Sequence, residues 1–148
     1  MKKQNIVESI STLVMIMFLY AAFSKYFDWS TFKESMFNQP FQNWFVWVLI
    51  IVIPPIEIVI AGMLLFSKTR YKGLILSSII MAAFTVYIGV ALIGIFPKMP
   101  CSCGGIIRAL GWKKHFFFNL FFLAISIIGA RIQHGLNHTK NEYHPVSL

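Results

Sequence analysis

Residues Trp44–Phe66 read WFVWVLIIVIPPIEIVIAGMLLF, a run of 23 residues in which Glu57 is the one charged side chain. A second run, Gly73–Phe96, has 24 residues and no charge. Both exceed the roughly 20 apolar residues that a helix needs to cross the hydrocarbon core of a bilayer. Because the runs are continuous rather than alternating, they favour membrane helices over the strands of a transmembrane barrel.

Two shorter apolar runs of 15 residues, Ser9–Phe23 and Phe116–Ala130, lie on either side of these. Short spans suffice here because Lys25, His115 and Arg131 can reach the membrane interface from their ends. The sequence therefore predicts an all-α membrane protein, a four-transmembrane-helix bundle. We expect this domain over residues 1–132, with spans at about 6–24, 44–66, 73–96 and 115–131, and a polar tail over 133–148.

The composition agrees with a membrane protein. Of the 148 residues, 57% are hydrophobic and 12% are charged, against about 25% charged in soluble domains. A soluble globular protein of this size cannot bury so many apolar side chains in one core. A disordered chain is excluded as well, because disordered chains are poor in aromatic and β-branched residues. The net charge is +8. Since the basic residues fall mostly between apolar runs, they indicate contact with membrane lipid and not with nucleic acid.

The total count of basic residues on the two sides of the membrane does not set the orientation, but one short loop indicates it. With the N-terminus inside, seven of the 13 basic residues are cytoplasmic and six are not, a difference that does not set topology. The short loop Ser67–Lys72 has three basic residues and no acidic one, so we place it in the cytoplasm. The loop Pro97–Lys114 then faces the periplasm of a bacterial inner membrane. Lys2 and Lys3 before the first apolar run also fit a signal peptide, but the three strong spans that follow fit a retained helix equally well.

Both cysteines lie in one loop, which reads PKMPCSCGG over Pro97–Gly105. Its prolines and glycines predict a turned backbone. A Cys101–Cys103 disulfide requires a bent conformation, and strained, exposed disulfides tend to be labile or catalytic. We favour a redox-active pair. The alternatives are two buried small apolar side chains and a soft-metal site, which would need Met99 or His115 as a further ligand.

The segment after the cysteines adds a candidate catalytic residue, His115. If the segment is helical throughout, Arg108, Trp112, His115 and Asn119 share one side of the helix. A histidine there can give or take a proton during thiol exchange, and nearby cations favour a thiolate. The alternative is that Trp112 and His115 only anchor the helix at the lipid interface, while Asn119 bonds to another helix.

Two further features lie between these regions. Glu57 follows two prolines, which free helix carbonyls, and an ionisable residue inside a span indicates an interior site. Glu57 is therefore a candidate for proton transfer or quinone binding; the alternative is a structural bond to Lys25, Asp28 or Tyr87. Separately, four apolar residues at helical spacing predict an amphipathic helix lying on the membrane. These are Trp29, Phe32, Met36 and Phe37.

Over about residues 5–131 the chain resembles the MauE/DoxX family of small redox-associated membrane proteins. The resemblance rests on the four spans, on LYAAFSK at Leu19–Lys25, on PPIE at Pro54–Glu57 with Gly62, and on CSCGG at Cys101–Gly105. MauE is implicated in maturing a disulfide-rich subunit of methylamine dehydrogenase beside a thioredoxin-like protein. DoxX-type proteins are associated with thiosulfate–quinone electron transfer or oxidative stress. The resemblance thus implies periplasmic thiol–disulfide traffic.

We therefore expect a redox-associated inner-membrane protein whose Cys101–Cys103 pair, assisted by His115, exchanges electrons with a thioredoxin-like periplasmic partner or assists disulfide maturation. As an enzyme it would be a thiol–disulfide oxidoreductase. A quinone is the candidate cofactor, with Glu57 as its candidate contact, and no metal is expected. The alternatives are a non-catalytic assembly or anchoring subunit with a structural disulfide and a soft-metal handler. The sequence assigns no oligomeric state.

Overall fold

The computed structural model describes residues 2–95 and 107–142, and the regular secondary structure in these ranges is helical. Within these two ranges, four helices are long and apolar enough to cross a membrane; in α5 this applies to Lys113–Thr139. The predicted all-α class and the four spans are confirmed. The helices are α1 Lys2–Phe27, α2 Trp29–Phe37, α3 Asn43–Leu65, α4 Arg70–Leu92 and α5 Ile107–Glu142.

The helices do not end where the apolar runs end. α1 begins before the predicted span at residue 6, and α4 ends at Leu92 rather than at residue 96. α5 continues to Glu142, so the predicted domain boundary at residue 132 falls inside a helix. Side-chain bonds such as Gln133 Nε2 to Asn137 Oδ1, at 2.9 Å, lie within this polar extension. Hydropathy marks what crosses the bilayer, whereas backbone hydrogen bonding propagates into polar residues as well.

The four spanning helices form a ring. α1 packs between α3 and α5, and α4 packs between the same two helices on the opposite side. Large apolar side chains also cover the outside of the ring, where Ile51, Ile79 and Val86 are more than half exposed. Such a surface suits contact with lipid. The buried core consists of Val7, Val14, Phe18, Ile60, Ala61, Leu64, Leu74, Met81 and Phe122.

Gly129 lies where three helices meet. A Cβ atom at this position would lie 2.9 Å from Ile10 Cγ2 of α1 and 3.3 Å from Leu74 Cδ2 of α4. The glycine therefore lets α5 approach both neighbours closely, as small residues do at membrane-helix interfaces. We call this part of the bundle, next to the turn between α3 and α4, the Lys68 end, and the opposite part the α2 end.

α1 stops level with the middle of α3. Lys25 is two residues before the end of α1, yet its ammonium contacts Glu57, the fifteenth of the 23 residues of α3. The part of α3 before Glu57 is covered by α2, whose Phe32 and Met36 are buried in one cluster with Val46 and Ile50. The helix predicted from aromatic spacing is present. Two of its four apolar residues, Phe32 and Met36, pack on α3, whereas Trp29 and Phe37 are exposed.

Candidate functional site

A buried ion pair forms the polar centre of the bundle. Lys25 Nζ lies 2.7 Å from Glu57 Oε1 and 2.9 Å from Oε2, and the two residues are 3% and 4% exposed. Lys25 Nζ also donates to the carbonyl oxygen of Ala21 at 3.2 Å. The three ammonium hydrogens thus have three acceptor oxygens, which is the condition for burying a charge. The Phe32 ring, 5.9 Å from Nζ, adds a cation–π contact.

The ion pair corrects the predicted location of Lys25 and identifies the bonding partner of Glu57. Lys25 was predicted to reach the membrane interface from the end of a short span, but its side chain is buried and points to α3. Of the three residues proposed as partners of Glu57, Lys25 forms the ion pair. Tyr87 instead donates a hydrogen bond to Gln39 Oε1.

α3 remains helical through both prolines that precede Glu57. Pro54 is buried and Pro55 is exposed. Neither can donate a backbone N–H, so the carbonyl groups of Ile50 and Ile51 lose their intrahelical partners. The interruption predicted from the prolines is therefore limited to two missing hydrogen bonds and does not divide the helix.

A cavity of about 330 Å³ lies beside the ion pair. This volume is at the lower end of the range for small-molecule sites, roughly 300–1,000 Å³. The cavity is lined by residues of α2, α3 and α4 and of the connection between α2 and α3, with Lys25 as the contribution of α1. Its lining is apolar apart from Lys25, Glu57, Gln39 and Tyr87. The arrangement is typical of a binding pocket, in which a few polar groups orient a mainly apolar ligand.

Gln39 supplies the second polar position in the cavity. It is buried, its Oε1 accepts the bond from Tyr87, and its Nε2 donates to the carbonyl oxygen of Ser35 at 3.1 Å. An amide nitrogen carries two hydrogens, so one N–H of Gln39 remains beyond this contact. Sequence reasoning missed Gln39, because a lone glutamine in a polar connection next to Pro40 gives the same signal as a solvated loop residue.

His115 is buried near the start of the spanning part of α5. It is 2% exposed, and within the described part of the chain neither ring nitrogen has a hydrogen-bond partner. The next residue, Phe116, packs near the end of α4, since a Cβ at Gly89 would lie 3.4 Å from Phe116 Cε2; His115 therefore lies at the α2 end of the bundle. The structure thus does not support the alternative in which His115 only anchors the helix at the lipid surface. A buried imidazole without partners is costly and calls for a specific explanation.

α5 is not one regular helix. Gly111 has φ 68° and ψ 160°, in the left-handed region that glycine enters without a steric penalty. The segment is therefore not helical throughout, and the condition for one shared face from Arg108 to Asn119 is not met. After the break, His115 and Asn119 do share a face, and both are buried.

The predicted catalytic residues Cys101 and Cys103 lie outside the described residues, as does Met99. Within residues 2–95 and 107–142, His, Cys, Asp and Glu side chains form no group of three or more that could hold a metal ion.

Comparison with known proteins identifies a family. The family model described as methylamine utilisation protein MauE matches residues 3–132 of the chain. This range includes Lys25, Glu57, the cavity residues, both cysteines and His115. No curated protein and no solved structure matches the chain significantly. The match supports the MauE part of the resemblance seen in the sequence, whereas the DoxX part has no match of its own.

Proposed function

The chain belongs to the MauE family and is a multi-pass membrane protein, and on this premise we propose that it takes part in thiol–disulfide exchange. In this proposal, Cys101 and Cys103 face the periplasm of a bacterial inner membrane. They exchange electrons with a thioredoxin-like protein and thereby assist disulfide maturation. The family description, methylamine utilisation, supplies the physiological setting.

The observation that carries the proposal is the buried imidazole of His115, which has no hydrogen-bond partner among the described residues. α4 ends at Leu92 and α5 begins at Ile107, so the connection with both cysteines joins the same end of the bundle at which His115 lies. Thiol exchange requires removal of a proton from the attacking thiol, and imidazole does this near neutral pH. A base without a competing partner in the described protein suits that role.

The exchange balances within the two proteins. In the reduced state, one cysteine thiolate attacks the disulfide of the partner, forms a mixed disulfide and expels a partner thiolate, which takes up a proton. The second cysteine then attacks the mixed disulfide, closes the Cys101–Cys103 bond and releases the second partner thiol. The pair loses two electrons and two protons, and the partner gains them. The reverse sequence oxidises the partner.

Single cysteine variants test this proposal. Cys101→Ser and Cys103→Ser each leave one thiol that can form the mixed disulfide but none that can resolve it. We expect an adduct with a thioredoxin-like protein on non-reducing gels, lost when reductant is added and identified by mass spectrometry. The double variant Cys101→Ser/Cys103→Ser is the matched control and should give no adduct. If neither single variant forms one and both retain full function in cells, the redox role is wrong.

A further inference from the structure

We propose that the cavity beside Lys25 and Glu57 binds the headgroup of a membrane quinone. The inference deepens the proposed function, on which its physiological meaning rests, because it names a redox ligand for the same protein. The residues that line the cavity all lie within the described part of the chain.

The location of the cavity selects ligands that dissolve in the membrane. Most of its wall comes from the spanning helices α3 and α4, and the wall is apolar apart from four side chains. A volume of about 330 Å³ accommodates a single substituted ring. A polar metabolite would lose its hydration here with few groups to replace it. A ring with an apolar tail would lose little.

Two separate polar positions then specify oxygen atoms on the ligand. Glu57 accepts a hydrogen bond from Lys25 through each carboxylate oxygen, and each oxygen has acceptor capacity left for a hydroxyl donor. Gln39 uses one Nε2 hydrogen on Ser35 and has another for a ligand oxygen. A quinone carries two ring oxygens on opposite sides, which accept hydrogen bonds as carbonyls and also donate them as quinol hydroxyls.

Aromatic side chains provide flat contacts for such a ring. Phe41 stacks on Tyr87 with ring centroids 5.7 Å apart and an interplanar angle of 29°. Phe41 also meets Phe45 edge-on at 5.4 Å. All three side chains line the cavity, as does Phe84. Offset-stacked and edge-to-face arrangements are the preferred geometries of aromatic rings, so a quinone ring would extend a cluster that already exists.

A lipid acyl chain is the competing occupant, and the polar lining argues against it. An acyl chain would fill the apolar part of the cavity but would leave the spare hydrogen of Gln39 without a partner. Buried groups left unpaired in this way lower affinity. The two occupants therefore differ in whether binding depends on Gln39.

Equilibrium binding of decylubiquinone to the full chain in lipid nanodiscs tests the inference, with protein-free nanodiscs as the background. We expect saturable binding that is at least tenfold weaker in Gln39→Leu and unchanged in Gln42→Leu. The second variant makes the same change at an exposed residue outside the cavity. Ala83→Phe, which fills the cavity from α4, should abolish binding if its thermal unfolding shows that it folds.

Equal binding by Gln39→Leu and the unchanged protein, or equal affinity for decylbenzene, which has the tail but no ring oxygens, would overturn the inference and indicate a lipid-like occupant. The variant Cys101→Ser/Cys103→Ser separates this result from the proposed function. It should bind decylubiquinone normally, because the cysteines are not among the described residues that line the cavity. Loss of binding in this variant would contradict the placement of the quinone site in the cavity beside Lys25 and Glu57. Absence of quinone binding alongside trapped mixed disulfides would overturn the quinone site alone.

Discussion

Lys25 and Glu57 would each be strongly unfavourable alone inside this apolar bundle, and their direct contact allows both to be buried. The desolvation penalty for an ion in a protein interior is several kcal/mol even after relaxation. Here the ammonium has three acceptors and the carboxylate accepts through both oxygens. The contact does not imply a net gain in stability, because an apolar pair of the same volume is often as stable. It does mean that neither residue tolerates loss of the other.

Because one unpaired buried charge costs far more than the intact ion pair, single and double variants should differ in stability. Lys25→Met leaves the Glu57 carboxylate buried and unpaired, and we expect it to lower the free energy of unfolding by about 3–5 kcal/mol. Lys25→Met/Glu57→Leu removes both charges and should recover most of that loss. Glu57→Lys sets two ammonium groups against each other and should prevent folding. Unfolding in mixed SDS–detergent micelles provides the measurement. A single variant as stable as the double variant would place Glu57 in contact with water.

At the scale of the helices, the bundle depends on where each helix stops and how closely it approaches its neighbours. α1 ends beside the middle of α3, and α2 covers the remaining part of α3. This offset places a lysine from the end of one span in the interior, and it leaves the cavity between α2, α3 and α4. At the Lys68 end, Gly129 sets the distance from α5 to α1 and α4.

Gly129→Leu is expected to separate these helices. Its side chain would overlap Ile10 and Leu74, and overpacking of this kind costs about 1–3 kcal/mol. Gly62→Leu is the matched control, because a Cβ at Gly62 meets no atom within 4 Å and leucine there would face lipid. We expect the first variant to unfold at lower SDS fraction and the second to match the unchanged protein. If both behave alike, α5 does not approach α1 as closely as the structure indicates.

For the whole molecule, the four spans place the turn between α3 and α4 on one side of the membrane and the connection with the cysteines on the other. The turn and the first residues of α4 carry Lys68, Arg70 and Lys72. Arg70 Nη1 lies 3.4 Å from Glu8 Oε1 of α1. Acidic residues have little influence on orientation, so this contact does not offset the basic loop. The Lys68 end is therefore predicted to be cytoplasmic.

Labelling of intact cells with a membrane-impermeant maleimide tests this orientation. After mild reduction, the native Cys101 and Cys103 should react without lysis. The variant Ser67→Cys, made in the background Cys101→Ser/Cys103→Ser, should react only after the cells are lysed. The opposite pattern would reverse the orientation and place the cysteine pair in the cytoplasm, where stable disulfides are rare.

Features that depend on neighbouring residues along the chain could be predicted. The apolar runs indicated four spans, the spacing of Phe32 and Met36 indicated α2, and the cost of a carboxylate in lipid marked Glu57 as an interior residue. Each follows from local composition or periodicity, and burial of the corresponding residues agrees with it. The cysteine pair was also found in this way, and its role stays a prediction because it lies outside the described residues.

Features that depend on how helices are placed against each other could not be predicted. Hydropathy places Lys25 at the end of a span, but the level at which it lies follows from the offset between α1 and α3. The same offset brings Gln39, Glu57 and Tyr87 to one cavity, although they are far apart in sequence. The break at Gly111 gave no hydropathy signal, because it is a change in backbone angle. Local patterns determine which residues are apolar enough to span a membrane, whereas the contacts between helices determine which polar residues meet inside it.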